Sequence, residues 1–495
     1  MDKTLDPVDA AGWAKLRAVG HRMLDEMFTH LEGLREIPVW QAMPDGVRQG
    51  ISGEGVPMEP QGVESVYADF VRDVLPYSVG NRHARFFGWV QGNGTPVGML
   101  ADMLAAGMNS NTGGFDQAST LVEQQVLAWL ARLMGMPVGT SGLLTGGGSI
   151  ANLIGLVVAR KAKAGFDVRE VGLRGGDAAL RVYCSTETHN WMRKSMELIG
   201  MGRASLTSIP VDGEYRLRVD LLRKAIAADR AAGLRPICVV GTAGTVNTGA
   251  SDDLEALADL CAEQGLWFHV DGAFGAMAYL VDGFRPKLKG MERADSLAFD
   301  LHKWGYLPFE VGCVLVRDAA MHTATFAASA SYLTAFERGP IAGGLPFADR
   351  GIELTRGFKA LKVWMSFKTH GVKAIAEVIE QNLVQAQYLA GLLKAHEELE
   401  LMLPVEMNVV CFRFVGKGLT ASDETLNGWN REIVMRVQER GIAVPSTTML
   451  TGRMAIRVAI VNHRSRREDF DLLVESVVAI GREILGQAPG HRLPV

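Results

Sequence analysis

The sequence predicts an α/β protein built on a mainly parallel sheet covered on both faces. Three observations carry that expectation. From about residue 143 the chain repeats strand, turn and helix. Its strands are near-continuous apolar runs, as at 237–240 and 266–270, which suit a sheet buried on both sides. The runs give way to glycine, hydroxyl and acidic residues, and the 56 glycines fit many tight connections between strand and helix.

The elements follow in order. Residues 9–35 place Trp13, Leu16, Val19, Met23, Met27 and Leu31 at helical spacing. A Pro- and Gly-rich connection runs from 38 to 60, and a second helix over 62–75 stops before Pro76. This opening has little core of its own and is expected to pack on a second subunit. Residues 85–96 are aromatic, then glycine-rich, and read as an extended piece entering a pocket wall. Helices are expected over 97–106 and 119–135, strands over 143–145, 181–184, 237–240, 266–270, 296–299 and 313–316, and helices over 150–163 and 252–264. Residues 319–350 lack periodicity and read as a long functional loop. A helical region over 351–396 leads to a smaller unit, with strands over 409–414 and 455–460 and helices over 422–439 and 466–485.

Composition excludes several classes of function. The 495 residues suffice for two or three domains, and 48% hydrophobic with 21% charged residues is ordinary globular usage. A net charge of −4 gives no electrostatic case for nucleic acid or an anionic membrane. No apolar run approaches the roughly 18 to 20 residues that span a bilayer. The acidic, polar start shows no signal peptide. Cys184, Cys238, Cys261, Cys313 and Cys411 are scattered and read as reduced core thiols. A cytoplasmic enzyme is the expectation.

In an open α/β sheet, ligands bind beyond the C-terminal strand ends. Gly146 to Ser149 offers backbone N–H groups and a hydroxyl at a helix start, an anion site without a Walker lysine. Asp271 ends an apolar strand, where a carboxylate needs donors or a cation. His189 follows Ser185-Thr-Glu-Thr, and Lys303 stands between His302 and Trp304. Taken singly, each has a plain structural reading: a tight turn, a helix N-cap, a turn histidine, a snorkelling lysine. His269 shares the face of Asp271, but no further ligands accompany the pair, so no metal is expected. One ligand uses the phosphate cradle, the acid, the histidine and the lysine together: pyridoxal 5′-phosphate (PLP). Its phosphate wants the turn, its pyridine nitrogen the carboxylate and its aldehyde the amine.

Val-Asp-Gly-Ala-Phe-Gly-Ala at 270–276 and Asp-Ser-Leu-Ala-Phe-Asp-Leu-His-Lys-Trp at 295–304 resemble the group II PLP-dependent decarboxylases, in the branch of aromatic-L-amino-acid decarboxylase and its bacterial relatives. The resemblance runs from about 82 to 482, and includes Arg85-Phe-Phe-Gly, Gly241-Thr-Ala-Gly-Thr245 and the stretch 356–364. It implies a fold-type I architecture: a seven-stranded, mainly parallel sheet in a large domain at 86–375, a small C-terminal α/β domain at 376–495, and an N-terminal helical segment at 1–85 packing on a dimer partner. It implies that Lys303 is the Schiff-base lysine, that Asp271 pairs with the pyridine nitrogen and that His189 stacks on the ring. Gly147, Gly148, Ser149 and His302 would hold the phosphate, with Thr242, Thr245, Ala273 and Asp300 near the cofactor. Family members are homodimers with shared active sites, and a mobile loop, here about 319–350, brings Tyr332 to protonate Cα after CO2 leaves, with His189 as the alternative donor. The reaction would pass through an external aldimine and a quinonoid, turning an L-amino acid, most simply an aromatic one, into its amine and CO2.

Departures from the family pattern fall on the substrate wall. Trp89, Val90, Gln91 and Gly92 stand where relatives are aromatic or apolar, Asn111 and Gly113 replace apolar and aromatic positions contributed across the dimer, and Val246 stands where relatives often have Thr. With Arg356, the residues Trp89, Val90, Gly92 and Asn111 are the candidate substrate contacts. Three alternatives stay open: a decarboxylating aldehyde synthase, in which Phe typically replaces Tyr332; a decarboxylase of non-aromatic or acidic amino acids, which should offer an extra cation; and a non-catalytic sensor that kept the fold.

Overall fold

A computed structural model of the chain describes residues 3–328, 338–340 and 346–487. The larger sheet holds seven strands: β1 (Ser141–Thr145), β2 (Leu180–Ser185), β3 (Leu206–Ile209), β4 (Arg235–Thr242), β5 (Trp267–Asp271), β6 (Ser296–Asp300) and β7 (Gly312–Val316). Their order is β1-β7-β6-β5-β4-β2-β3. Only β7 runs against its neighbours, β1 and β6; the other pairs are parallel. Every residue of β1, β5, β6 and β7 is buried, which explains their unbroken apolar sequence. The helix Gly148–Lys163 crosses β4 to β7 and covers one face.

This topology decides where the chemistry falls. β1, β2, β4, β5 and β6 share one direction, so Thr145, Ser185, Thr242, Asp271 and Asp300 end at one edge of the sheet. The antiparallel β7 brings its first residue there too, with Gly312 level with both Thr145 and Asp300.

The second sheet is antiparallel: β8 (Leu399–Leu401), β9 (Val409–Phe414), β10 (Ser446–Leu450) and β11 (Arg453–Ala459), in the order β10-β11-β9-β8. The helix Val372–Lys394 joins the two units. Its Ile375 and Ile379 enter the large core, and Ala386, Leu389 and Leu393 enter the small one. The boundary expected at 375 therefore falls in the first turn of a helix shared by both cores.

Several elements differ from expectation. The stretch 319–350 opens with a helix, Ala319–Phe326, capped by Asp318, which accepts from Met321 N at 2.9 Å. The region 351–396 is not one helix: 351–359 is irregular, and Gly371 at φ +76° separates Ala360–His370 from Val372–Lys394. The Pro- and Gly-rich connection holds a helix, Asp45–Gly53. Strands β3, β8 and β10 carry too little apolar alternation to be read from sequence.

Candidate active site

A cavity of about 440 Å³ opens at the convergent strand ends. Trp89, Val90, Gly147, Gly148, Ser149, His189, Thr242, Asp271, Ala273, Asp300, His302 and Lys303 all line it. Twelve residues expected from sequence thus meet around one space.

The glycine turn follows β1. Gly147 lies at φ +148° and its N–H reaches Thr145 Oγ1 at 3.3 Å. A Cβ on Gly148 would sit 2.8 Å from Asp300 Oδ2, and one on Gly147 would sit 3.2 Å from the His302 ring, so the close approach demands glycine. No side chain caps the helix that starts here, and while Ile150 N turns back to Gly147 O at 3.1 Å, the N–H groups of Gly148 and Ser149 are left for an anion. Ser149 is exposed to the cavity beside them.

At the end of β6, Lys303 Nζ stands 3.0 Å from Asp300 Oδ2. Asp300 is buried, and its Oδ1 has no hydrogen-bond partner. His302 Nδ1 accepts from Val311 N at 3.1 Å, and its ring lies 4.9 Å from that of Phe309. Burial lowers the His302 pKa against the opposing pull of Asp300, so the ring is neutral near pH 7. Thr242 Oγ1 is also buried without a partner.

Asp271 is almost fully buried at 3% exposure, yet its partners are neutral. Trp191 Nε1 donates to Oδ2 at 2.6 Å, and Ala273 N and Asn152 Nδ2 donate to Oδ1 at 3.1 and 3.3 Å. Among the described residues no Lys or Arg pairs with it. Such a carboxylate suits a cationic ligand atom. His189 accepts from Trp191 N at Nδ1, 3.2 Å, and its partial burial inside the recess lowers its pKa, offset by Asp271.

Three expectations need correction. Thr245 does not face the cavity: its hydroxyl pairs with Thr248 Oγ1 at 2.9 Å, because Gly244 at φ +85° turns the chain and presents Gly244 and Val246 instead. Gly92 does not line the cavity either; it packs on the carbonyl of His302, where any Cβ would collide. The Arg356 guanidinium is not available to substrate in this chain. It is buried on Glu123 Oε1 at 2.5 Å and Leu144 O at 2.6 Å. Asn111, expected to act across the dimer, lies outside its own chain's cavity, and its Oδ1 accepts from Gly113 N at 2.9 Å and Arg356 N at 3.0 Å. Tyr332 falls outside the described residues.

Sequence reasoning missed Trp191 and Asn152. The available signal was a lone Asn in the apolar helix Gly148–Lys163, and an indole two residues after His189. It also missed how the small sheet shapes the wall. Trp89, at φ +52°, donates from N to Ser446 Oγ at 3.2 Å, and its carbonyl accepts from Arg457 Nη1 at 2.7 Å.

The unpartnered oxygens of Asp300 and Thr242, the uncapped helix start, the glycine cradle and the cation-free Asp271 fit one ligand, and the fold and site together define a PLP-dependent enzyme. The chain matches the profile "Pyridoxal-dependent decarboxylase conserved domain" over residues 44–415. It is 32% identical to an aromatic-L-amino-acid decarboxylase of Bacillus atrophaeus, across 95% of this chain and 96% of that one. It is 27% identical to a phenylacetaldehyde synthase of Petunia hybrida, across 90% of each. A solved structure of Oryza sativa TDC with PLP and tryptamine superposes with a TM-score of 0.88 at 26% identity, over 97% of this chain and 100% of that one. The chain belongs to the pyridoxal-dependent decarboxylases, and its cofactor is PLP.

Proposed function

We infer that this decarboxylase acts on an aromatic L-amino acid and releases its amine and CO2. The observation that carries the reading is the wall of the cavity. Trp89, Val90 and Phe274 present aromatic and apolar surface, and Lys303 is the single Lys or Arg among the described lining residues. A flat, uncharged side chain suits that wall, whereas an acidic one would call for a second cation. The name of the Bacillus relative supports the same reading.

Bound through Lys303, the cofactor supplies the electron sink that weakens bonds at Cα. The chain's residues do the rest. Gly147, Gly148, Ser149 and His302 would hold the phosphate, and Asp271 would keep the proton on the ring nitrogen. His189, a neutral imidazole, would lie against the cofactor's ring. His189 and the wall would orient the substrate so that its carboxylate, and not its Cα hydrogen, is the group lost. Tyr332 returns a proton to Cα.

A homodimer completes the site in this reading. Trp13, Met103, Leu104, Met108 and Leu121 are 48 to 60% exposed, a spread of large apolar side chains that suits a subunit interface, and Asn111 would serve the partner's cavity. Sedimentation of the loaded protein should give twice the chain mass of 53.6 kDa; a monomer with full activity would refute the shared site. Five free, buried cysteines fit a cytoplasmic setting. Among the described residues no helix is long and apolar enough to cross a membrane.

The Petunia relative, a phenylacetaldehyde synthase, motivates a second reading, an oxidative outcome in which dioxygen and water convert the amino acid to aldehyde, CO2, ammonia and peroxide. One experiment separates them: purified protein with PLP, offered the twenty amino acids singly, with CO2, amine, aldehyde and peroxide measured together. Amine equal to CO2 from Trp, Tyr or Phe is the expected result, and Tyr332→Phe should shift product toward aldehyde. Turnover confined to Glu or Asp would overturn the aromatic reading.

A further inference from the structure

From Asp271 and Asn152 a chain of buried polar groups runs back away from the cavity, and no catalytic role yet uses it. Its members come from β5, β6 and the helix Gly148–Lys163. Trp267 Nε1 donates to Ser296 Oγ at 2.8 Å. Ser296 Oγ lies 2.7 Å from His269 Nδ1, and His269 Nε2 lies 2.8 Å from Asn152 Oδ1. Asn152 Nδ2 then donates to Gly148 O at 2.8 Å and to Asp271 Oδ1 at 3.3 Å. His269 and Ser296 are fully buried, and Asn152 is 1% exposed.

The chemistry of the groups fixes every proton. The indole only donates, so Ser296 accepts from Trp267, and Asn152 Oδ1 claims the Nε2 proton of the neutral ring, which leaves His269 Nδ1 to accept from the Ser296 hydroxyl. Reversing the Asn152 amide would set an oxygen against the Gly148 carbonyl and the Asp271 carboxylate, so that alternative is closed. Burial drives the His269 pKa down to about 4, which keeps the ring neutral as this arrangement needs. The result is a one-way relay from Trp267 to the oxygen of Asp271.

The backbone is shaped around this relay. Gly155 sits in mid-helix, where glycine weakens a helix. A Cβ there would lie 2.6 Å from His269 Cε1 and 3.2 Å from Ser296 Oγ, so the missing side chain is what admits the imidazole. The Trp191 ring, which also holds Asp271, meets the same imidazole edge-on with centroids 6.1 Å apart.

Resting on the PLP-dependent reading of the cavity, we propose that His269 is a positioning residue: through Asn152 it locks the Asp271 carboxylate and the Gly148 turn into one unit. The two poles of the cofactor, ring nitrogen and phosphate, then meet protein groups whose separation is set by a single amide. Asn152 lines the cavity, whereas His269 and Ser296 do not, so their influence on the cofactor passes through Asn152.

The test uses the full chain, with apo-protein titrated by PLP and the visible absorption of the bound cofactor recorded across pH. His269→Phe keeps a ring of similar size but strands the Ser296 hydroxyl and Asn152 Oδ1. It should weaken PLP binding about tenfold and shift the absorption profile. It should also lower kcat while KM for the amino acid stays within about twofold. His269→Gln, which can still donate to Asn152, should recover most of each effect. Ser296→Ala, a small change remote from the cofactor, should shift affinity and spectrum in the same direction by about two- to threefold, and it serves where His269→Phe fails to fold. Wild-type affinity and spectrum in folded His269→Phe or in Ser296→Ala would overturn the relay alone. Absence of any cofactor band in the wild-type protein would instead sink the reading on which it rests.

Discussion

Lys303→Ala protein is expected to lose at least about a thousandfold in kcat and all covalent attachment of the cofactor, while keeping its fold. Lys303 follows β6 by three residues and is held 3.0 Å from the buried Asp300 carboxylate, in the same cavity as the glycine turn and Asp271. The other described lysines near this end of the sheet are engaged elsewhere: Lys359 with Glu310 at 3.5 Å and Lys362 with Asp102 at 2.9 Å. Neither lines the cavity, so neither can replace it. Removing the cation leaves Asp300 facing only His302, 3.8 Å away and neutral, so a modest loss of thermal stability should accompany the loss of turnover. Single-turnover assays with far-ultraviolet dichroism as the control check this. A variant with turnover within tenfold of the wild type would remove Lys303 from the mechanism.

The second large effect is expected at Asp271. Asp271→Asn should lower kcat by about a hundredfold to a thousandfold, with a much smaller change in KM. The substitution removes the negative charge that keeps a proton on the cofactor's ring nitrogen. It also creates a conflict, because Trp191 Nε1 and Asn152 Nδ2 both donate to this carboxylate from opposite sides. An amide offers one oxygen, so one donor would face an NH2 group. The loss of charge affects the chemical step, and the conflict affects cofactor affinity. Steady-state kinetics at saturating PLP, beside a PLP titration, separates the two. Unchanged kcat at saturating cofactor would show that the ring nitrogen needs no carboxylate here.

How much of this was legible in the sequence depends on whether the signal is local. The strand ends were legible because unbroken apolar runs stop at polar residues, and the parallel topology then gathers Thr242, Asp271 and Asp300 at one edge. The glycine turn was legible for the same reason. Strands β3, β8 and β10 were not, since short or edge strands with mixed polarity leave no period to read. Family resemblance placed Thr245 and Arg356 in the right neighbourhood but could not say which way their side chains turn. Arg356 is committed to Glu123, 233 positions away in the chain, and no spacing announces such a partner. Trp191 and Asn152 were missed likewise, because their bonds to Asp271 span 80 and 119 residues. His269, two residues before Asp271, was read only as a possible metal ligand, and its commitment to Asn152 became visible once Gly155 was seen to make room for it.

The central claim is that the cavity at the strand ends binds PLP through one lysine. Borohydride reduction of the PLP-loaded protein, followed by peptide mass spectrometry, tests it most directly. A pyridoxyl-phosphate adduct on Lys303, near one per chain, and its absence from Lys303→Ala are the expected result. An adduct carried by another lysine, or no adduct in protein that decarboxylates amino acids, would contradict it.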